Sequence, residues 1–532
     1  MSLDRRQFVQ LGFAMQAAAV LGVQQAAAQA AGPDLKFGPA EPFSRDALKA
    51  KVRELAKAPY VSPPRPDPAI VKQIDYDAHG KLRYRQDAAL FAKGGSLYPV
   101  TFQHVGMYFP KTVAMHVIEG GKAREILYDP KLFMGGPDHV AAKLPAQPSA
   151  FAGFWVQEPG PDWKKLEPWA TFLGASYFRA IGELGQVGLS ARGLAMGPGT
   201  ANPEEFPDFT NFWFEPVTKA GDPFVVHALL DGPSVVGAYR FAMSRTKGVI
   251  MDIDAYVILR KPVERLGIAP ITSMFWDTET NKRQARDWRP QVHDSEGLAI
   301  WTGAGERIWR PLNNPPQVMT NSFLDKDPKG FGLVQRDRDF RNYEDDGVFY
   351  DKRPTLWVEP KGNWGEGEVQ LVEIPTEDEI HDNIVAFWTP RAPVKAGQSF
   401  SLDYRLHWVD AEPFLSSAIG RVVATRRGNG GNPAVRDKAS GYVKYVIDFA
   451  GGDLATREST KNQAIPEITV SRGRVVNPFA IRVAGTDRWR IIFDLDVEGP
   501  APVDLRAYLR AKDGHALSET WLFQHFPEQK NW

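Results

Sequence analysis

The chain has 532 residues, more than one hydrophobic core usually serves, so two domains are expected. Lys+Arg and Asp+Glu both number 64, a balance that offers nothing to attract nucleic acid or an anionic membrane surface. Cysteine is absent, which excludes disulfides, thiol catalysis, zinc-thiolate sites and iron–sulfur clusters together.

The N-terminus reads as an address. Arg5-Arg6 followed by Phe8 is a twin-arginine export pattern. Leu11 to about Gln25 is apolar and Ala-rich but short for a membrane span. Ala28-Gln29-Ala30 then offers a small-x-small cleavage site. Residues 1–30 are therefore expected to be a signal peptide, and the mature chain to begin near Ala31 in the periplasm. Ser44 is placed to cap a helix running to about Ala56, with Ala47, Leu48, Val52 and Leu55 on one face. Pro63, Pro64, Pro66 and Pro68 end helical structure.

Strand patterns follow. Val249 to Leu259 is β-branched and partly alternating, and Phe224 to Leu230 and Val369 to Ile374 read alike. Residues 31–409 are expected to form a large antiparallel β-sandwich, closing with the strand Phe400 to Trp408. Residues 410–420 read as a linker. Val443 to Phe449, Arg488 to Val497, Val503 to Leu509 and Ser518 to Phe523 are short strands that suit a small immunoglobulin-like sandwich over 421–532. The fold class is thus all-β. Arg427 to Asn432 reads as a flexible loop without the context of a dinucleotide site.

The ten histidines show no metal-binding spacing, and there is no Walker loop. Gly188-Leu189-Ser190-Ala191-Arg192 resembles a nucleophile elbow until Arg192 takes the place of the second glycine. No cofactor or metal is expected. Carboxylates remain as the chemistry available near neutral pH, and these suit glycoside cleavage. Residues 265–390 hold the densest mixture of Trp, Tyr, Arg, Asn and acidic side chains, which is what a sugar site requires.

Asp382 sits where the polar loop Pro375 to His381 becomes the apolar run Ile384 to Phe387. Apolar neighbours would raise its pKa, as a general acid needs. Read by itself, an aspartate there more often closes a loop by accepting backbone amides. Asp294, beside His293, Ser295 and Glu296, has the same ambiguity between a network and a solvated turn. Asp337, Arg338 and Asp339 read as a structural ion-pair turn, and Trp213 and Trp276 as core.

These stretches resemble the periplasmic glucans biosynthesis family, tied to osmoregulated periplasmic glucan. The likeness covers essentially the whole mature chain. It is carried by Phe172 to Ala180, Gly188 to Ala195, Glu205 to Phe209, Leu266 to Pro270 and Ser518 to Trp521. The stretches 289–298, 309–315, 329–340 and 350–360 share it. The twin-arginine leader favours the D-type members. The resemblance implies a mutarotase-like sandwich followed by an immunoglobulin-like domain. It also implies an inverting endo-β-1,2-glucanase. The acid in a Leu-Asp-Asn-Ile-Val context falls here on Asp382, within His381-Asp382-Asn383-Ile384-Val385. The base in a Pro-Gln-Ile-His-Asp-Ser context falls on Asp294, within Pro290-Gln291-Val292-His293-Asp294-Ser295. The resemblance implies that the attacking water's proton reaches this base through a water and substrate-hydroxyl relay. His381 replaces the family's leucine and bears on the pKa of Asp382. Tyr350, Arg353, Trp357 and Glu379 are expected substrate contacts.

The implied partner is β-1,2-linked glucan, with the glucan synthesis and export machinery as a further one. Exposed sandwich edges point to a homodimer. The competing function is a non-catalytic glucan-binding or assembly factor, which would bind the polymer without shortening it. A lyase or epimerase on the same sandwich would leave an unsaturated or epimerised sugar.

Overall fold

The computed structural model describes residues 34–136, 138–281, 287–431, 441–458 and 463–527. The expected signal peptide lies outside the described residues. Among them, no helix is long and apolar enough to cross a membrane.

The helix occurs at Arg45–Lys57, and Ser44 Oγ accepts from Ala47 N at 3.1 Å. Leu48 and Val52 are buried on the outer side of a sheet, packed with Val236, Ala238 and Ile258. Arg45 fixes the angle by donating to Asp254 Oδ1 at 3.1 Å.

The strand Val249–Leu259 shows why that outer side needs cover. Val249, Met251, Ile253, Ala255 and Val257 point into the main core, while Ile250, Asp252, Asp254 and Tyr256 point outward. It pairs antiparallel with Val235–Arg245 on one side and Ser399–Val409 on the other. These strands belong to a 15-stranded sheet, which faces a 10-stranded sheet built around Ile384–Pro390, Leu266–Ser273 and Ser190–Arg192. Between the two lies an aromatic core. Phe154 stacks on Phe172 at 4.8 Å, Phe172 on Phe178 at 5.0 Å, and Phe241 meets both edge-on. The all-β, mainly antiparallel sandwich expected from the sequence is therefore present.

A second core forms between the four-stranded sheet of Arg421–Asn429, Val443–Ala450, Trp489–Asp496 and Arg474–Arg482 and the strands Thr520–His525, Val503–Arg510 and Ile465–Val470. Residues 427–429 are thus strand rather than loop, because Arg427 to Asn429 pair with Tyr445 to Val443.

The sequence did not indicate how the two cores join. Thr520–His525 pairs parallel with Arg307–Pro311, Ile308 opposite Thr520 and Trp309 opposite Trp521. One sheet therefore runs across the boundary, and Ala299, Trp309, Val334 and Trp357 contribute to the second core.

Arg310 and Glu373 tie the two large sheets together. The guanidinium donates to Glu373 Oε2 at 2.9 Å, with side chains 2% and 0% exposed. The other carboxylate oxygen accepts from Asn313 N at 2.7 Å. Glu373→Ala leaves a buried guanidinium without its counter-charge, which costs about 3–5 kcal/mol. Urea unfolding should show a midpoint lowered accordingly, and an unchanged midpoint would deny this pair its role.

Candidate active site

The site begins with strand alternation. In Tyr177–Ala180, Phe178 and Ala180 are buried in the main core, so Tyr177 and Arg179 point to the opposite face. Ser190–Arg192 pairs with that strand and sets Arg192 opposite Tyr177. The two meet, the Arg192 guanidinium 5.3 Å from the Tyr177 ring centroid. Arg192 is 2% exposed and donates from Nη1 to Glu204 at 2.7 Å, while its Nε and Nη2 are buried with no hydrogen-bond partner among the described residues.

Asp382 comes to this face from the next part of the same sheet, just before Ile384–Pro390. Asn383 holds it there. Its side-chain oxygen accepts from Phe275 N at 2.8 Å, and its nitrogen donates to Phe275 O and Ile374 O, both at 2.9 Å. Next to Phe275, Met274 O accepts from Asp294 N at 2.9 Å. One two-residue stretch therefore anchors both aspartates. Asn383→Leu removes three bonds made by a buried amide and strands their backbone partners. A loss of roughly 2–4 kcal/mol is expected, read by thermal or urea unfolding.

Asp294 is wholly buried, and neither carboxyl oxygen has a hydrogen-bond partner among the described residues. Arg353 Nε lies 3.3 Å from its Oδ1. Arg353 also donates from Nη1 to Val187 O and stands 5.2 Å from the Tyr350 ring centroid. Tyr350 Oη donates to Glu379 Oε2 at 2.6 Å, and Arg289 pairs with that oxygen at 2.8 Å. The structure thus brings together Asp382, Asp294, Tyr350, Arg353 and Glu379.

Burial pushes the Asp294 carboxyl up to about 7; Arg353 opposes this, and the Asp382 charge adds to it. Burial likewise raises Asp382, opposed by Arg179, Arg192, Arg353 and His381. Burial carries Tyr177 to about 12. His293, enclosed between Gln335 and Gln291, is driven to about 3 by desolvation and stays neutral. Two carboxyls with raised pKa, facing buried arginines, are chemically able to hold and release a proton near neutral pH.

Trp357 does not join this group. It is 1% exposed, belongs to the second core, and lies so close to Gly330 and Gly332 that a Cβ on either would meet its ring. A ring enclosed in that way has no free face for a sugar, so the expectation of a substrate contact is corrected. Tyr350 and Arg353 are themselves 1% and 3% exposed and act on the carboxylates rather than on an open surface.

Tyr177, Arg179 and Arg192 were not foreseen. Their signal was present: a cation between small or apolar strand residues must find a counter-charge inside. Asp339 caps a short 3-10 turn and Asp337 accepts from Asn342 at 2.6 Å, so the turn is structural as expected. Its ion pair, however, is Asp339 with Arg341, while Arg338 donates to the carbonyl oxygens of Asp351 at 2.9 Å and Asp410 at 2.6 Å. Trp213, stacked between Phe43 and His116, and Trp276, packed with Tyr343 and Tyr350, are core. Among the described residues no group of three or more His, Asp or Glu is arranged to hold a metal ion. Cavities of 990 and 370 Å³ lie at Ile481–Arg488 and around Trp301, Lys329 and Phe414; neither is lined by Asp294 or Asp382.

Fold and site together define an all-β, two-core protein with a buried carboxylate–arginine centre. Comparison with known proteins places it further. The family described as "Periplasmic glucan biosynthesis protein, MdoG" matches residues 43–525, and the chain belongs to that family. It is 52% identical over 506 residues to Glucans biosynthesis protein D 2 of Ralstonia nicotianae, covering 93% of each chain. It is 46% identical over 505 residues to Glucans biosynthesis protein D of Xanthomonas oryzae pv. oryzae, again covering 93% of each. Glucans biosynthesis protein D of Stenotrophomonas maltophilia is 46% identical over 497 residues, covering 92% of this chain and 91% of the relative.

Proposed function

We propose that the chain cuts the glucose backbone of periplasmic glucans, as an inverting endo-β-1,2-glucanase exported by the twin-arginine route. Asp382 protonates the departing glycosidic oxygen. Water attacks the opposite face of the sugar, its proton passing through a substrate hydroxyl to Asp294. The observation that carries this reading is the pair itself: two carboxyls, both raised by burial, anchored to Met274 and Phe275 and facing the same arginines. Like charges in one enclosure favour one proton between them, as an acid/base couple needs. The division of roles comes from the resemblance of the two local motifs.

A second reading is a glucan-binding or assembly factor. The enclosure of Asp294 favours it, since a carboxyl with no exposed surface also fits a structural ion network. Incubating the purified protein with linear β-1,2-glucan and sizing the products separates the two. Shortened chains whose new reducing ends first appear in the inverted anomeric form, by NMR, support the hydrolase. Binding without shortening supports the factor and removes the hydrolase reading. An unsaturated sugar would point to a lyase.

A further inference from the structure

Arg336 joins parts of the chain that lie far apart in sequence. Its Nε donates to Glu412 Oε2 at 2.9 Å. Its Nη1 and Nη2 donate to the two oxygens of Glu519 at 2.8 and 2.9 Å, and Nη1 also reaches Val422 O at 2.9 Å. The guanidinium lies 3.7 Å from the Trp309 ring centroid. Glu519 Oε2 further accepts from Val422 N at 3.0 Å. Arg336, Glu412 and Glu519 have side chains 8%, 5% and 6% exposed. A rigid two-pronged cation between two carboxylates, screened from water, holds its backbone closely in place.

That backbone brackets Asp294. On one side Gln335 Nε2 donates to His293 O at 3.3 Å, and Gln335 Oε1 lies 3.0 Å from His293 Nδ1. On the other, Arg336 N and Asp337 N donate to Glu296 Oε2 at 3.2 and 3.1 Å, and Glu296 N donates to Val334 O at 2.8 Å. Gln335 Nε2 also reaches Tyr350 O at 3.1 Å. Among the described residues, the Asp294 side chain has no hydrogen-bond partner. Its position is set by its neighbours, and residues 334–337 hold those neighbours.

We infer that Arg336 is a positioning residue for Asp294. The C-terminal sandwich, through Glu519 with Glu412 from the connecting segment, is thereby a working part of the site. This rests on the reading of Asp294 as the proton acceptor. A plain rivet between two sandwiches would affect stability alone.

The test uses the full chain carrying Glu519→Gln, which keeps the shape and removes one charge. Four quantities are read: the Asp294 carboxyl titration midpoint by ¹³C NMR, kcat and KM on linear β-1,2-glucan, and the thermal midpoint. The Asp294 midpoint is expected to move by about half a unit or more. kcat is expected to fall about ten-fold or more with KM within about two-fold, since small displacements of a reacting group cost rate steeply. Asp494→Asn, which removes the partner of Lys444 within the same sandwich, is expected to lower the thermal midpoint and to move neither the Asp294 titration nor kcat. If Glu519→Gln behaves like Asp494→Asn, the inference is overturned. Should Glu519→Gln fail to fold, Glu412→Gln, which leaves the two-oxygen pair intact, is judged by the same readouts. The titration needs no turnover. Glucan left at full length by the unmodified protein would therefore end the hydrolase reading while Asp294 still decides this inference.

Discussion

Asp382→Asn is expected to fold and to leave linear β-1,2-glucan uncut. The amide cannot deliver a proton to the departing oxygen, and loss of a general acid costs about 10²–10⁴-fold in rate. Folding should survive, because Asn383 supplies the bonds that anchor this turn. Stability should hold or rise. The folded-state pKa lies above the usual carboxylate value, so the native state binds the proton more tightly than the unfolded chain does. Ionised Asp382 therefore opposes folding, and a neutral isostere removes that opposition. Product sizing with a thermal scan checks both halves. Undiminished shortening by a folded Asp382→Asn protein would remove this residue from the chemistry.

Asp294→Asn should change the pH dependence of stability strongly. Its carboxyl ionises near 7 in the folded chain, against 3.8 for the ordinary group. A raised folded pKa means that stability is highest where the group is protonated in both states. It declines as pH rises from about 4 to about 7 and stays low above that. The difference of about three units corresponds to roughly 4 kcal/mol at pH 8. The attraction of Arg353 is already contained in that balance and does not overturn it. The variant should therefore melt higher than the unmodified protein at pH 8, and the gap should close by pH 4. A variant that melts lower at pH 8 than at pH 4, relative to the unmodified chain, would show that ionised Asp294 holds Arg353 in place. It would then be a structural anchor. Glucan cleavage by this variant should also fall steeply, since an amide accepts no proton.

Much of the fold was legible because it depends on consecutive residues. The alternation of Val249 to Leu259 and the side-chain cap at Ser44 appear in the structure where the sequence puts them. The loop-to-strand junction at Asp382 was equally local, since polar and apolar runs meet there. Asp382 and Asp294 were reached by motif resemblance. The pattern of their neighbours left open whether either was more than a turn residue.

Which residues form strands, and which faces turn inward, is written in the local pattern, because a period of two is a property of neighbours. It could not say which strands meet. The parallel pairing of Ile308 with Thr520 merges the expected domains into one sheet, and nothing near either residue signals it. That pairing gave Trp357 a place in the second core, where the sequence reading had expected a substrate contact. It also set Arg336 between Glu412 and Glu519. The packing of the sheets alone sets Arg179 and Arg353 near both Asp382 and Asp294, with Arg192 near Asp382. Counter-charges in a buried site come from strands remote in the chain, and their attraction depends on distances that exist only once the sheets have packed.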